Sequence, residues 1–387
     1  MKKIVILLCT FLLFLSIAPT VLADEKGEEL AYEAKSAILI ERDTGAILYD
    51  KNSTEQLSPA SMTKVMTMLL IMEALESGKI KMEEKVRTSE YAASMGGSQI
   101  FLEPGEEMTV KDLLASIAIG SANDASVALA ERIAGSEKAF VKMMNQKAKA
   151  LGLKNTKFQN TTGLPAKDHY SSAYDMAVMA KELLKYEKIT DFTSLYERYL
   201  REDTDNKFWL VNTNKLVRFY PGVDGLKTGF TSEAKYCLTA TAKKNGMRVI
   251  AVVFGAPNPK TRNAQITKML DFAFSQYETH KLYDKGAKLS KIKVSKGDKK
   301  LLQTMTDEQL SLLTKKGEKL NDVTKKLDIP KNVKAPIKKG EVIGKIKFEK
   351  KGEIILESKI VAAQDVKKAN WWQLYKRVLG HFTKMDA

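Results

Sequence analysis

Ser61 and Lys64 place a hydroxyl and an amine three residues apart in Pro59-Ala60-Ser61-Met62-Thr63-Lys64, ahead of a strongly apolar run that reaches about Gly78. On a helix such a pair lies on one face, one turn apart. An amine there can act as the base that turns the hydroxyl into a nucleophile. The same tetrad also describes a helix-capping serine followed by a solvated lysine, and alone it does not choose between them. Two further clusters follow in order. Ser121-Ala122-Asn123 either caps a helix or presents a second hydroxyl beside an amide. Lys227-Thr228-Gly229 is either a turn before a strand or a cation beside a hydroxyl. For Lys64 to accept a proton its pKa must fall several units below the ~10.4 of a free lysine. Val65, Met66, Met68, Leu69, Leu70, Ile71, Met72 and Leu75 make the following helix apolar nearly all round, so it is expected to be buried. Desolvation at its start would lower that pKa.

Other chemistries find little support. His169, His280 and His381 are far apart, make no metal-ligand spacing and stand in no motif that would complete a Ser-His-Asp triad. Cys9 falls in the leader described below, so only Cys237 remains, flanked by Tyr236 and Leu238 as a core residue would be; a disulfide within the mature chain and a cysteine metal cluster are both excluded. No metal and no organic cofactor is expected.

The elements that must position these clusters read as follows. Residues 1–23 combine Lys2 and Lys3, an apolar run from Ile4 to about Ile17 and the small-residue ending Val21-Leu22-Ala23, the pattern of a cleaved secretory signal peptide. An uncleaved anchor is the alternative, on a run short for a membrane span. Residues 36–50 read as a hairpin through Asp43-Thr44-Gly45. Ser94-Met95-Gly96-Gly97-Ser98 is a glycine-containing loop. Thr109 with Asp112 reads as a capping box for one amphipathic helix to Ile119, and Ser172 with Asp175 as a second box, which makes Asp175 structural. Asn160 to Pro165 is loop. Strands at Tyr236–Thr241 and Met247–Phe254 join through Asn245-Gly246. A helix follows from Thr261 to Tyr277. Its Arg262 is either an organiser of a positive cleft or an ordinary surface arginine.

Charge marks a boundary near residue 280. The chain carries +16, yet residues 24–280 are neutral, while residues 281–362 hold 22 basic and 11 acidic side chains, net +11. Those residues alternate in short apolar segments broken by Lys-Gly and Pro, a small all-β domain. Residues 363–387 read as an amphipathic helix from Gln364, with Trp371, Tyr375, Val378 and Phe382 on one face and lysines and arginine flanking it, suited to a membrane surface. The basic part fits an anionic membrane surface or wall polymer; nucleic acid is not an expected partner of an exported chain.

The three clusters in this order match the Ser-x-x-Lys, Ser-x-Asn and Lys-Thr-Gly signature of penicillin-interacting serine enzymes. On Pro59–Lys64, Gly120–Asp124 and Asp224–Gly229, and on its layout, the chain resembles the low-molecular-mass penicillin-binding proteins that are serine D-alanyl-D-alanine carboxypeptidases of exported Gram-positive type. The resemblance implies an α/β (α+β) fold: a β-lactamase/transpeptidase-like catalytic domain over 24–280, with an antiparallel sheet and a helical cluster, then the small β domain over 281–362 and the anchoring helix over 363–387. It implies that Ser61 attacks the carbonyl between two terminal D-alanines of a peptidoglycan stem peptide, that Lys64 takes its proton, and that Ser121 bridges the two lysines and protonates the leaving amine. Asn123 would bind Lys64 or the substrate amide. Lys227 and Thr228 would hold the terminal carboxylate, Lys227 also keeping Lys64 neutral. Gly229 and Phe230 would line the substrate strand, with the N–H groups of Ser61 and Phe230 as oxyanion hole. Phe230 stands where some members have histidine. β-Lactams would acylate Ser61, and loss of the last D-alanine would limit cross-linking. A β-lactamase is the near alternative, but no Glu-x-x-Leu-Asn segment is present. A DD-endopeptidase would use the same residues, and against a binding protein that recognises D-Ala-D-Ala or β-lactams without turnover stands the presence of all the catalytic positions.

Overall fold

The computed structural model describes residues 29–318, 320–373 and 375. The leader at 1–23 and the C-terminal stretch from 376 lie outside the described residues.

A five-stranded antiparallel sheet organises the first part. Its order is Ile47–Lys51, Ser36–Glu41, Met247–Ala256, Lys235–Lys244 and Val223–Thr231. Alternate residues enter two different cores. Ile38, Ile40, Ile250, Val252 and Phe254 face the helical cluster. Ala37, Leu39, Val249, Ala251 and Val253 face the Pro259–Gln276 helix. Burial on both faces is why these strands read as unbroken apolar runs. The Lys64–Glu76 helix is buried along nearly its whole length, as its apolar circumference requires, and the Asn123–Ala134 and Ala173–Leu183 helices pack around it. Each fully buried Leu, Ile or Met there contributes roughly 1.5–3 kcal/mol.

Both N-caps form, without the return bond of a full capping box among the described residues: Asp112 N–H donates to Thr109 Oγ1 (3.1 Å) and Asp175 N–H to Ser172 Oγ (3.1 Å). Asp175 in turn accepts from Asn155 N–H and the Thr156 hydroxyl, a structural role. The helix after Thr109 does differ from expectation. It is α-helical only over Val110–Ala115, then widens into a π-type turn over Ser116–Gly120 and stops at Ser121, which is left-handed with φ 64°. A wide turn of this kind re-aims the residues after it, and such turns recur at functional sites.

The second part is a six-stranded sheet, ordered Val323–Asp328, Val342–Lys350, Glu353–Ala362, Leu301–Thr306, Lys288–Ser295 and Asn332–Lys334. The Tyr277–Tyr283 strand, which continues directly from the Pro259–Gln276 helix, pairs with Leu310–Lys315. Asp43, at the turn of the first hairpin, accepts from Gln309 Nε2 and Ser311 Oγ, both at 2.7 Å, and so ties the two parts together.

The expected C-terminal helix starts later than Gln364. Val366 is buried and its segment bridges Ile337, so the chain stays extended with the β domain. Asn370 then caps a helix at Trp371 through a reciprocal pair, Gln373 N–H to Asn370 Oδ1 (2.8 Å) and Asn370 N–H to Gln373 Oε1 (3.0 Å). Among the described residues no helix is long and apolar enough to cross a membrane.

Candidate active site

Ser61 sits in a short 3₁₀ turn, Ala60–Thr63, and the α-helix begins at Lys64 itself. The tetrad therefore does not open as one regular helical turn, yet the contact is made: Lys64 Nζ lies 3.2 Å from Ser61 Oγ. The amine is wholly buried. It also lies 2.7 Å from Asn123 Oδ1 and 2.7 Å from the Thr162 carbonyl oxygen. Its three neighbours suit either protonation state. An ammonium would donate to all three, whereas a neutral amine has two donors and one lone pair. With both N–H bonds on Asn123 Oδ1 and the Thr162 oxygen, the neutral form turns its lone pair to Ser61 Oγ, and burial favours that form. The orientation of Asn123 is fixed at its other end, where Nδ2 donates to the Gly96 carbonyl at 2.6 Å. Burial, and next the charge of Lys227, hold the Lys64 pKa well below the ordinary lysine value, against a smaller opposing pull from Asp124.

Lys227 comes from the edge strand Val223–Thr231 and is also buried. Its Nζ donates to the Thr228 carbonyl (3.1 Å). Burial, then the Arg262 guanidinium, bring its pKa down to about 7. Arg262 corrects the surface alternative. It is only 5% exposed, its Nε and Nη2 donate to Asn263 Oδ1 (3.1 and 2.9 Å), and burial lowers even its pKa to about 10. Lys64, Lys227 and Arg262 are thus three buried basic groups, the second and third each lowering the pKa of the one before it.

Ser121 is brought into the buried region, but its hydroxyl has no hydrogen-bond partner among the described residues. The bridge between two lysines implied by the resemblance is therefore not made here. A buried, unsatisfied hydroxyl in a left-handed residue is held by the turn before it and waits for a partner. Asn123 begins the Asn123–Ala134 helix, with its N–H on the Ser98 carbonyl (2.7 Å). Asp124 beside it accepts from the N–H groups of Ile100, Leu102 and Ala125, which pins the loop that follows Ser98.

The edge strand passes close to the Ser61 turn. A Cβ on Gly229 would lie 2.7 Å from the Pro59 carbonyl oxygen, so only glycine fits. Thr228 Oγ1 donates to Thr213 Oγ1 at 2.7 Å. Phe230 is more than half exposed and lies against Tyr236, ring centroids 4.4 Å apart. The cleft wall here is an open aromatic surface.

Three further residues shape the site, and of these Thr162 and Thr213 carry no distinctive sequence signal. Thr162 contributes a backbone oxygen. Gly163 (φ +84°) presses on the Ser61 turn so closely that an added Cβ would meet the Ala60 oxygen at 1.8 Å. Thr213 reaches Thr228 from a loop. The Asn160 carboxamide organises this segment, accepting from Thr162 N–H (3.2 Å) and Gly163 N–H (2.7 Å), a turn legible from its Asn-x-x-Gly pattern.

His169 lies behind the site. Gln159 N–H donates to its Nδ1 (3.1 Å), so Nε2 carries the proton and donates to Thr63 Oγ1 (2.8 Å); burial lowers its pKa to about 4. Cys237 is buried and its thiol is pushed up to about 11, so it is an inert core residue. The described residues contain no cluster of three or more metal-ligating side chains. A groove of about 930 Å³ opens at the junction of the two parts beside Arg42, Glu76, Lys185 and Glu308, and no residue of the three motifs lines it.

A family profile described as D-alanyl-D-alanine carboxypeptidase matches residues 23–258, and one described as the C-terminal domain of penicillin-binding protein 5 matches 277–368. The chain is 64% identical over 387 residues to the D-alanyl-D-alanine carboxypeptidase DacF of Bacillus subtilis (strain 168), covering 99% of this chain and 100% of that one. Among solved structures, penicillin-binding protein 5 from Haemophilus influenzae superposes with a TM-score of 0.68 at 34% identity, over 87% of this chain and 98% of that one. Penicillin-binding protein D2 of Listeria monocytogenes in its ampicillin-bound form gives 0.54 at 31% identity, over 62% and 98%.

Proposed function

From the premise that the chain belongs to the D-alanyl-D-alanine carboxypeptidase family, we propose that it removes the terminal D-alanine of peptidoglycan stem peptides through an acyl-enzyme on Ser61. It is a serine-type carboxypeptidase and a penicillin-binding protein. The observation that carries the assignment of residues is the arrangement at Lys64: its buried amine lies within hydrogen-bond distance of Ser61 Oγ, Asn123 Oδ1 and the Thr162 oxygen, so that in the neutral form its lone pair is free to take the Ser61 proton.

In acylation the Ser61 oxygen bonds to the carbonyl carbon of the penultimate D-alanine as its proton passes to Lys64. Negative charge on the carbonyl oxygen is met by the N–H groups of Ser61 and Phe230. As the C–N bond breaks, the proton reaches the departing amine by way of Ser121, whose hydroxyl is buried and has no hydrogen-bond partner among the described residues. Lys227 and Thr228 hold the substrate's terminal carboxylate, and Arg262 adds positive field behind them. Water, deprotonated at Lys64, then hydrolyses the ester. A β-lactam presents a reactive amide and a carboxylate in the same relation and acylates the same serine.

The same reading makes the protein exported, with residues 1–23 as leader and the segment from Trp371 onward as a peripheral membrane attachment. The mutually stacked and exposed Trp371, Trp372 and Tyr375 support that attachment.

Intact-mass measurement after penicillin treatment tests the nucleophile. One covalent adduct is expected on the wild type and none on Ser61→Ala, together with release of D-alanine from a peptide ending in D-Ala-D-Ala by the wild type alone. An adduct on Ser61→Ala overturns the assignment.

A further inference from the structure

The six-stranded sheet has an inner face and an outer face. Ile292, Val294 and Leu302 point inward to the core. By register, Lys291 stands opposite Gln303, Lys293 opposite Leu301 and Asn332, and Ser295 opposite Lys334. Residues in register share a face, so Lys291, Lys293 and Lys334 stand together on the outer face, on adjacent strands about 4.8 Å apart. All three are exposed.

Charge divides this face in two. Toward the Val323–Asp328 edge most lysines are compensated, Lys345 by Glu357, Lys347 by Glu357 and Asp328, and Lys326 by Glu349, with Lys359 the exception among the described residues. At the other end, Lys291, Lys293 and Lys334 have no carboxylate partner among the described residues. The C-terminal segment leaves from this end. Lys368 bridges Gly297, and Ala369 N–H donates to the Lys296 carbonyl at 2.9 Å. Two residues later come Trp371 and Trp372, 73% and 53% exposed.

We propose that this lysine corner is a membrane contact in its own right, binding the phosphate headgroups of anionic lipids beside the aromatic residues of the tail. The proposal rests on the reading that the tail lies at a membrane surface. A flat, uncompensated cationic face next to exposed tryptophans combines the two features that favour a bilayer interface, headgroup attraction and aromatic anchoring. A second contact on the sheet, beside the one made by the tail, also fixes the orientation of the domain, which a tail alone does not.

The test uses the full chain and sedimentation with vesicles of phosphatidylcholine, alone or mixed with phosphatidylglycerol. Each lysine near an anionic surface strengthens binding about fivefold, so the Lys291→Gln, Lys293→Gln, Lys334→Gln triple variant is expected to bind the mixed vesicles roughly a hundredfold more weakly. It should bind neutral vesicles like the wild type and hydrolyse a soluble D-Ala-D-Ala peptide at the same rate. A triple variant at Lys138, Lys142 and Lys149, exposed on the Glu137–Ala150 helix, should bind as the wild type does. Equal binding of the mixed vesicles by the wild type and the sheet variant overturns the lysine contact and leaves the tail reading standing. So does equal wild-type binding to neutral and anionic vesicles. A wild type that binds no vesicle overturns both. Loss of binding to soluble poly(glycerol phosphate), with vesicle binding unchanged, assigns the face to a polymer and overturns the lipid contact.

Discussion

Replacing Gly163 by alanine tests whether the Thr162–Gly163 segment sets the geometry between base and nucleophile. The added Cβ would sit 1.8 Å from the Ala60 oxygen and 2.9 Å from the Ser61 nitrogen, whereas real Cβ atoms keep at least 3.0 Å. The contact must open by about 1.2 Å, and only two motions can open it. If the loop withdraws, the Thr162 carbonyl recedes from Lys64, and a 2.7 Å bond stretched to about 3.9 Å is no longer a bond. If the turn withdraws, Ser61 itself moves. A misplacement of this size costs on the order of a hundredfold in rate. Left-handed alanine at φ +84° adds about 1–2 kcal/mol of destabilisation. Gly152→Ala separates the two effects, because Gly152 is also left-handed (φ +73°) but has nothing within 4 Å of the added Cβ. Rates of acylation by a fluorescent penicillin and thermal melts should show both variants destabilised and only Gly163→Ala slowed about a hundredfold. If a folded Gly163→Ala acylates within a few-fold of the wild type, Thr162 does not hold the base.

Lys64→Arg puts a permanent cation where a neutral amine is required; acylation should fall by at least 10²–10⁴, the usual range for a lost general base, and normal penicillin labelling would falsify the role of Lys64. The pH profile of kcat/KM should be a bell. It falls on the acid side as Lys64 gains its proton, and on the alkaline side as Lys227, with its pKa lowered to about 7, loses the charge that binds the carboxylate. Because the Arg262 charge depresses Lys227, Arg262→Gln should move the alkaline limb to higher pH, and an unmoved limb would show that the two are uncoupled. His169, with a folded pKa near 4 against about 6.5 unfolded, binds its proton first in the unfolded chain as pH falls. Stability should therefore decline between about pH 6.5 and 4, by at most about 3 kcal/mol, and urea titrations of His169→Gln should show a flatter decline.

The parts of the site that were legible in the sequence are those whose chemistry resides in side chains of distinctive type and spacing. Ser61, Lys64, Ser121, Asn123 and Lys227 are of that kind, and so are the N-caps Thr109 and Ser172. Thr162 was not legible, because any residue can present a carbonyl oxygen; only its turn had a signal, in Asn160 and Gly163. The left-handed Ser121 was hidden because the apolar pattern of Val110 to Ile119 is as good for a continuous helix as for one that widens at Ser116. Arg262 is different, since the information was present. With Ile266, Met269 and Ala273 it falls at i, i+4, i+7 and i+11, the buried stripe of its helix, and periodicity outweighs residue type there. At the C-terminus the opposite error arose. The aromatic spacing that begins at Trp371 was extended back over Gln364 to Asn370, where a buried Val366 holds the chain extended.

The buried cations show how stability and function trade against each other in this cleft. Lys64, Lys227 and Arg262 lie in the interior, and the carboxylate of Asp124 is occupied by three backbone N–H groups. Taking one charge out of water without a partner costs several kcal/mol, and a cation neighbour makes the cost larger. The folded chain relieves part of this by letting Lys64 go neutral, which is the state a base needs. It relieves less at Lys227, whose pKa near 7 leaves it divided between charged and neutral forms at neutral pH. An anion arriving beside Lys227 would favour the charged form, and a charged Lys227 would press Lys64 further toward neutrality. A bound carboxylate would then do more than locate the peptide: by protonating one lysine it would help keep the other ready to accept the proton of Ser61. An ester or amide in place of the terminal carboxylate should consequently lower the acylation rate at saturation as well as raise KM. A change in KM alone would show that Lys227 and Lys64 titrate independently.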